Sequence, residues 1–494
     1  MCHELRNFLR IRQKINWRVY TGNVIKRVTL CCLILAFAGC AALARQGAAA
    51  EQAMPQPATV IPRLTCAAAS EQSYALYLPS QYSPTKRWPI IYTFDPLARG
   101  NVPVERMKEA AERYGFIVVG SNNSRNGPWK VEIDAAQAMS DDTHTRFSID
   151  DRRVYFAGFS GGARVASHIA QVCKCAAGVL LNSAGFPVGR PPTRESTFAV
   201  FATVGDLDFN YPEVTRLDQT LGQFGFPHAL RYFDGPHEWA PTAVMEQALA
   251  WFRVIAIKES REPRDESFVA AQREAFAARA HAAEQSGDLY LALRQYREAA
   301  AAFEGLADVA AFQREASKLV GQKLVRDAEK RQQQELEEQE ILTNNISASL
   351  RSLRQASADR AGEQNETERQ IIDLRERASH EKRPDKARVL HRAIADVFAQ
   401  ALEGGLGRLA DKDPLTAKDY FQLALAAQPD SIWALRSLAT ACALTGDRKS
   451  AFQALRREKA KTHDHAGFAA WVAAEPAFTR FRNDRELQTL LDHH

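Results

Sequence analysis

The sequence lacks the patterns that identify a metalloenzyme or a nucleic-acid-binding protein. It contains no H-E-x-x-H segment, and the C-x-C of Cys173 and Cys175 does not by itself make a zinc site. No basic stripe interleaved with aromatic residues follows the first 40 residues, although nucleic-acid binding favours one. We therefore expect no metal, no cofactor and no nucleic-acid partner.

The chain also has no excess of positive charge once its start is set aside. The formal net charge is +5, but residues 1–39 carry seven basic side chains and only Glu4 as an acid. Removing this surplus of six leaves the remaining chain with a net charge of −1. The charge balance thus gives no support for an acidic partner.

Cysteine is sparse, with eight residues in 494, of which Cys66, Cys173 and Cys175 lie between residues 66 and 258. In an exported protein these three could form a disulfide. A bridge between cysteines separated by one residue is strained, so we expect Cys66 to pair with Cys173 or Cys175. Buried free thiols are the alternative.

The start of the chain has the features of an export signal. Lys26 and Arg27 precede an apolar run at residues 28–38, which is too short to span a bilayer and typical of a signal-peptide core. The run ends in Phe37-Ala-Gly-Cys40, which resembles a bacterial lipobox with Cys40 as the lipidation site. Residues 1–40 thus predict a periplasmic or cell-envelope lipoprotein anchored to the membrane by its N-terminus, with translation starting nearer Val24.

Cleavage at Ala42-Leu-Ala44, followed by soluble secretion, is the alternative to lipidation. Residues 41–65 are rich in Ala, Gln and Pro, a composition that predicts a flexible linker.

From residue 66 to 258 short apolar strands alternate with helical segments. Helices are predicted at residues 104–114 and 134–145, and strands at 74–78, 89–94, 116–120, 178–181, 198–204 and 230–233. Such alternation predicts an α/β fold whose mostly parallel sheet is covered by helices on both faces. Ligands bind to such a sheet beyond the carboxyl ends of the strands.

A G-x-S-x-G segment, Gly158-Phe-Ser-Gly-Gly162, lies between a strand-like run that begins at Val154 and a helical stretch at residues 164–172. Strand, glycine-flanked turn and helix are the context of a nucleophile elbow, which would expose the Ser160 hydroxyl. The backbone N–H of Gly161 then faces the position of an oxyanion. The alternative is a glycine turn with a helix-capping serine.

Two loops that follow predicted strands supply an acid and an imidazole. Gly205-Asp-Leu-Asp208 follows the strand at residues 198–204, and Gly235-Pro-His237 follows the strand at 230–233. In this set His237 is the general base for Ser160, and a carboxylate fixes the imidazole tautomer. Asp206 and Asp208 both have the required side chain.

Through these motifs, residues 66–258 resemble the α/β-hydrolase superfamily, and within it compact bacterial esterases of the polyhydroxybutyrate-depolymerase, feruloyl-esterase and dienelactone-hydrolase kind. The resemblance implies a doubly wound sheet and a carboxylic-ester hydrolase. It favours Asp208 as the acid, because the family commonly places its acid at the third residue after the loop glycine. Asp206 is then a turn or cap residue.

The resemblance also implies a second oxyanion donor in the loop after the third strand, here residues 94–100. Pro96 has no N–H, so Leu97 is the candidate, and Asp95 can alternatively hold the loop or pair with Arg99.

The loop at residues 121–129 also follows a strand, and its Asn122, Asn123 and Trp129 are candidates for lining a polar substrate pocket. An ordinary surface turn is the alternative.

After a charged linker at residues 259–267, the chain has helical spacing to its last residue. Residues 268–317 and 384–494 resemble tetratricopeptide repeats with a period of 34, as in Gly446-Asp447 followed by Ala451. Such repeats imply a protein partner or packing on the catalytic domain. The polar interruption at 318–383 predicts a solvated helical arm, with a coiled coil as the alternative.

Two functions are compatible with these features. The first is an exported serine hydrolase acting on small-molecule or polymeric esters, which the set Ser160, Asp208 and His237 favours. The second is an inactive, hydrolase-like binding or scaffold lipoprotein, which the atypical oxyanion loop keeps open.

Overall fold

The structure is a computed structural model that describes residues 54–353 and 360–491. The predicted export signal, with Cys40, lies outside the described residues. Within these two ranges, no helix has both the length and the apolar character needed to cross a membrane.

In the described chain the strands form one sheet in the order β1-β2-β4-β3-β5-β6-β7-β8. Strand β3 is parallel to β4 and β5, whereas β2 is antiparallel to β1 and β4. The predicted α/β fold with a helical C-terminal region is confirmed. The strands are β1 Val60–Cys66, β2 Ala69–Tyr77, β3 Trp88–Phe94, β4 Ile117–Ser121, β5 Ile149–Phe159, β6 Ala176–Asn182, β7 Ala199–Gly205 and β8 His228–Phe233.

Several strands are buried along their whole length. Strands β3, β6 and β7 have no exposed residue and are predominantly apolar, as expected for strands covered on both faces. Five helices alternate with the strands: α1 Asn101–Tyr114, α2 Trp129–Arg146, α3 Gly161–Cys173, α4 Tyr211–Phe224 and α5 Thr242–Lys258. The predicted strands and helices correspond to these elements, although α2 begins five residues earlier than predicted.

The prediction of a linker at residues 41–65 is wrong at its end, because Val60–Cys66 forms the edge strand β1. This strand pairs with β2 from Val60 opposite Tyr77 to Cys66 opposite Ala69. The pairing is irregular between Ile61 and Leu64, around Pro62, which has no N–H to donate. A proline is tolerated at a sheet edge, and its presence hid the strand in the sequence.

The expected pairing of Cys66 is also wrong. Cys173 and Cys175 form a disulfide, and their Cα atoms lie 5.1 Å apart, within the range that a disulfide spans. Lys174 between them has a left-handed backbone (φ 52°), which reverses the chain at the end of α3. Cys66 is a buried free thiol, and burial raises its pKa to about 12.

The C-terminal region consists of helices joined by short turns. Several begin at an aspartate or serine whose side chain accepts a hydrogen bond from the first turn, as Asp288 and Asp447 do. The tetratricopeptide assignment stays a prediction. The helices are α6 Glu266–Gln285, α7 Leu289–Phe303, α8 Ala310–Val320, α9 Lys323–Ser352, α10 Arg360–His380, α11 Pro384–Ala410, α12 Pro414–Ala427, α13 Ile432–Thr445, α14 Arg448–Lys459, α15 His465–Ala474 and α16 Arg485–Leu491, with a 3-10 helix at Pro476–Phe481 before the last.

Helix α9 differs from the predicted solvated arm, because one of its faces is buried. Five of its seven buried residues recur at intervals of three and four, the spacing of a single helix face: Leu336, Gln339, Thr343, Ile346 and Leu350. Leu336 packs in a cluster with Val214 and Leu230. Two of these five residues, Gln339 and Thr343, are polar, so the apolar pattern of the sequence does not reveal the stripe.

Contacts within the described chain group it into two compact units. One contains residues 54–181, 186–200 and 245–263, and the other contains 182–185, 201–244 and 264–491. The loops after β7 and β8 therefore belong to the same unit as the C-terminal helices.

Candidate active site

Ser160 occupies the turn between β5 and α3 with a strained backbone, at φ 53° and ψ −121°. A positive φ is uncommon for a residue with a side chain and costs energy, as at the elbow that the G-x-S-x-G pattern predicts. The Ser160 side chain makes no capping hydrogen bond to α3. The capping-serine interpretation therefore does not fit this turn.

The glycines on either side of Ser160 are required by close backbone approach. A Cβ at Gly158 would overlap the carbonyl of Gly162, and a Cβ at Gly162 would overlap the carbonyl of Phe94, at the end of β3. Strand β3, strand β5 and helix α3 thus meet more closely than any side chain at these two positions permits.

Asp208 and His237 form a hydrogen-bonded pair. Asp208 is fully buried, and its Oδ1 lies 2.9 Å from Nδ1 of His237. The backbone N–H of Asn210 donates to the same oxygen at 2.8 Å. With Nδ1 directed at the carboxylate, Nε2 is the ring nitrogen that can accept a proton from a nucleophile.

Asp206 has a different part in the same loops. Its Oδ1 accepts a hydrogen bond from the Gly235 N–H at 3.1 Å, and its own N–H donates to the Phe233 carbonyl at 2.9 Å. These bonds join the loop after β7 to the loop after β8, which carries His237. The geometry thus gives Asp206 the turn-holding contacts of the alternative interpretation.

The prediction that Leu97 supplies the second oxyanion donor is wrong for this structure. Its N–H donates to Oδ1 of Asp95 at 2.9 Å. The buried Asp95 carboxylate also accepts from Nε and Nη2 of Arg99, at 3.0 and 2.9 Å. Asp95 therefore has the loop-holding function that was the alternative, and the Leu97 N–H already has a charged acceptor.

Two of the three predicted pocket residues instead hold the edge of the sheet. The Asn122 side chain donates to the Pro62 carbonyl at 3.1 Å, and Oδ1 of Asn123 accepts from the Ser73 N–H at 2.8 Å. Their amides thus bind strands β1 and β2, which corrects the prediction. Trp129, at the start of α2, is exposed and lies edge-on to the His168 ring, with ring centroids 4.9 Å apart.

Sequence reasoning missed Asn126, which lies in the same loop. Its N–H donates to the Pro96 carbonyl at 2.9 Å, and its side-chain amide lies against Gly161, where a Cβ would overlap Oδ1. The loop sequence places three asparagines close together, and only folding shows which of them reaches the elbow.

The structure brings the predicted residues Asp208 and His237 together in one compact unit. In the unit that contains Ser160, it brings the predicted Gly161 close to Asn126, which was not predicted. Among residues 54–353 and 360–491, no group of three or more His, Cys, Asp or Glu side chains is arranged to hold a metal ion.

The sheet order, with β2 antiparallel, and the elbow between β5 and α3 define an α/β-hydrolase fold. No protein-family model matches the sequence, and no curated protein matches it either.

Among solved structures, the chain is similar over 40% of its length to a ferulic acid esterase, with 20% identity, 98% of that chain covered and a TM-score of 0.34. It is similar over 40% of its length to the fluorophosphonate-binding serine hydrolase F of Staphylococcus aureus, with 14% identity, 98% of that chain covered and a TM-score of 0.33. An esterase of Pyrobaculum calidifontis has 13% identity over 41% of this chain and 87% of its own, with a TM-score of 0.33.

Proposed function

We propose that the protein is a serine hydrolase that cleaves carboxylic esters through an acyl-enzyme, with Ser160 as nucleophile, His237 as general base and Asp208 as the acid. The observation that supports this most strongly is the 2.9 Å hydrogen bond between the buried Asp208 and the partly buried His237, which prepares an imidazole to accept a proton. The strained elbow at Ser160 supplies a hydroxyl in the conformation typical of a nucleophile.

In the proposed reaction, Nε2 of His237 takes the Ser160 proton as the hydroxyl oxygen attacks the ester carbonyl. The tetrahedral intermediate places its negative charge near the Gly161 N–H, and its collapse expels the alcohol, which takes the proton from His237. Water, activated by the same imidazole, then releases the acid and restores Ser160. Asp208 stabilises the imidazolium in both steps without being protonated.

We further propose that the Asn126 side-chain amide is the second oxyanion donor, in place of the Leu97 N–H. The amide lies against Gly161, whose N–H is the first donor; Oδ1 is its atom nearest to that glycine, and Nδ2 is the atom proposed to donate to the oxyanion. Asparagine amides serve as donors in oxyanion holes. Replacement of Asn126 by Ala is expected to lower kcat by about 10²–10³-fold. Asn122→Ala, in the same loop, is the matched control and should leave kcat near that of the parent.

The central experiment treats the purified protein with a fluorophosphonate probe and a short-chain nitrophenyl ester. Because triad residues act as a unit, Ser160→Ala and His237→Ala should lower turnover by about 10⁴–10⁶-fold, and Ser160→Ala should abolish labelling. Asp208→Asn should lower turnover far more than Asp206→Asn. Equal, mild effects of the two aspartate variants would contradict the assignment of the acid.

The second candidate is an inactive, hydrolase-like binding protein, and the observation that favours it is the engagement of the Leu97 N–H by Asp95. A parent protein that neither reacts with the fluorophosphonate at neutral pH nor hydrolyses the ester would establish this candidate. Anchoring through Cys40 is a separate proposal, and the mass of the mature N-terminus tests it. A protein partner of the C-terminal helices is likewise a proposal.

A further inference from the structure

We infer that Gln339 and Arg392, in the C-terminal helices α9 and α11, are positioning residues that hold the loop of Asp208 in its active geometry. The inference rests on the proposed function, since it concerns the same acid and base. It gives the helical region a part in catalysis that neither the G-x-S-x-G motif nor the repeat pattern suggests.

Arg392 is the first of the two contacts. Its side chain is only 1% exposed, and its Nη1 donates to the backbone carbonyl of Asp206 at 3.1 Å. Its Nη2 donates to Oε2 of Glu335 at 3.1 Å, and the guanidinium lies 4.2 Å from the ring centroid of Tyr211, the first residue of α4. A guanidinium with this many fixed partners holds the carbonyl of Asp206 in one position.

Gln339 is the second contact, and it is linked to the first. Its Oε1 accepts from Nε of Arg392 at 3.0 Å, and its Nε2 donates to the backbone carbonyl of Phe209 at 2.9 Å. The Phe209 ring lies 4.2 Å from the ring of His237, centroid to centroid. The amide therefore holds a residue that touches the imidazole and directly follows Asp208.

The two carbonyls flank Asp208, at Asp206 and at Phe209. The backbone N–H groups of residues 206 and 207 already donate within the sheet region, to the carbonyls of Phe233 and Gly235. The carbonyls of residues 206 and 209 receive their donors from α9 and α11. Because a partly buried carbonyl that loses its donor loses stabilisation, the loop conformation depends on these two side chains.

Displacement of the loop has a defined chemical consequence. The hydrogen bond between the Asp208 carboxylate and Nδ1 of His237 would then be longer and weaker. The imidazolium that forms in the reaction would lose part of its stabilisation. The imidazole would also be held less firmly in the tautomer that accepts the Ser160 proton, so the chemical step should slow while substrate binding is retained.

The test uses the full chain with Gln339→Met and Arg392→Met, which keep side-chain length and remove the donors. We expect kcat to fall by about 10–100-fold with KM within about twofold. Arg392→Lys, which keeps the charge, and Gln339→Glu, which keeps an acceptor for Arg392, should give intermediate losses.

Matched controls come from the same two helices. Gln333→Met in α9 removes an amide that donates to the exposed Glu337, and Arg388→Met in α11 removes an arginine whose ion pair with Glu335 is 4.0 Å long. Both controls should retain the kcat and KM of the parent. Thermal unfolding of every variant establishes that it is folded at the assay temperature.

The outcomes separate this inference from the proposed function. The low-field proton resonance of the Asp208–His237 hydrogen bond, assigned by its loss in His237→Gln, should weaken in Gln339→Met and Arg392→Met even if the parent hydrolyses no ester. Folded variants that retain this resonance and the parental kcat would overturn the inference. So would losses of activity that merely follow the loss of folded protein. If Arg392→Met does not fold, Gln339→Met and Arg392→Lys decide the matter.

Discussion

Helix α3 begins and ends next to residues whose backbone conformation costs energy. Ser160 before it and Lys174 after it both have positive φ, at 53° and 52°, although neither is glycine. Such conformations cost about 1–3 kcal/mol each and persist when the surroundings impose them. At Ser160, the close packing of Gly158 and Gly162 imposes the turn. Lys174 lies between Cys173 and Cys175, which a disulfide joins.

Glu132, in the first turns of α2, leads to a prediction about pH. It is 5% exposed, and burial raises its pKa from 4.5 to about 7. The folded state therefore binds the proton more tightly than the unfolded chain, so this residue's contribution to stability is present below pH 4.5 and is lost as the pH rises through 7. Between pH 5 and pH 8, the free energy of unfolding should decrease by about 1–3 kcal/mol less in Glu132→Gln than in the parent. Urea unfolding at the two pH values measures this difference.

The control for this prediction is Glu109→Gln, which removes an exposed carboxylate from α1. It should leave the difference in unfolding free energy between the two pH values unchanged. If Glu132→Gln also leaves it unchanged, burial does not set the protonation of this carboxyl.

At the scale of elements, α9 shows how a helix rich in charge can still be part of the core. Its outward face carries the polar residues that predict a solvated arm, while Leu336, Gln339 and Thr343 are buried. Leu336 packs in one cluster with Val214 of α4 and Leu230 of β8. The element is therefore held by packing along one stripe, in addition to the hydrogen bond from Gln339 to the Asp208 loop.

This packing predicts a large difference between two apolar residues of one helix. Leu336→Ala should lower the free energy of unfolding by about 2–5 kcal/mol, because Leu336 is fully buried and its removal leaves a cavity. Ile341→Ala, at a position 71% exposed, should change it by no more than about 0.5 kcal/mol. Chemical denaturation of both variants checks this, and comparable effects would mean that α9 does not dock through this face.

At the scale of the whole molecule, one compact unit joins strands and C-terminal helices through buried ion pairs. Arg231 of β8 forms a two-pronged pair with Glu298 of α7, with Nη2 2.6 Å from Oε1 and side chains 10% and 12% exposed. Arg294 of α7 donates to Asp218 of α4 at 2.9 Å. These pairs tie the C-terminal helices to the part of the chain that carries Asp208 and His237.

A double-mutant cycle on the Arg231–Glu298 pair tests this connection. Arg231→Met alone should cost about 3–5 kcal/mol of unfolding free energy, because it leaves a buried carboxylate without its partner. Arg231→Met with Glu298→Leu should recover most of the loss, since both charges are then gone. Urea unfolding measures the cycle, and additive losses would show that the two side chains are not coupled.

An exposed pair provides the reference for that cycle. Lys130 and Asp134 in α2 form an ion pair with side chains 82% and 51% exposed. Lys130→Met should change the unfolding free energy by at most about 1 kcal/mol, because solvent screens the pair.

Local pattern was sufficient for most strands of the sheet and for the turn at Ser160. The apolar runs of β3, β6 and β7 predict buried parallel strands, and the glycines around Ser160 predict a turn that only small residues permit. Strand β1 escaped prediction, because Pro62 interrupts its pattern and its partner, β2, must be known before the strand can be recognised.

By itself, the sequence determined the fold class, the elbow, and the loops in which an acid and a histidine follow their strands, because each depends on residues close together in the chain. Only the tertiary structure decided that Asp208 meets His237 while Asp206 holds a turn, that Leu97 is occupied by Asp95, and that Asn126 reaches Gly161. It also decided the contacts of Gln339 and Arg392 with the Asp208 loop, which join residues up to 186 positions apart. Such contacts depend on where helices pack, and packing is determined by the shape of the whole surface.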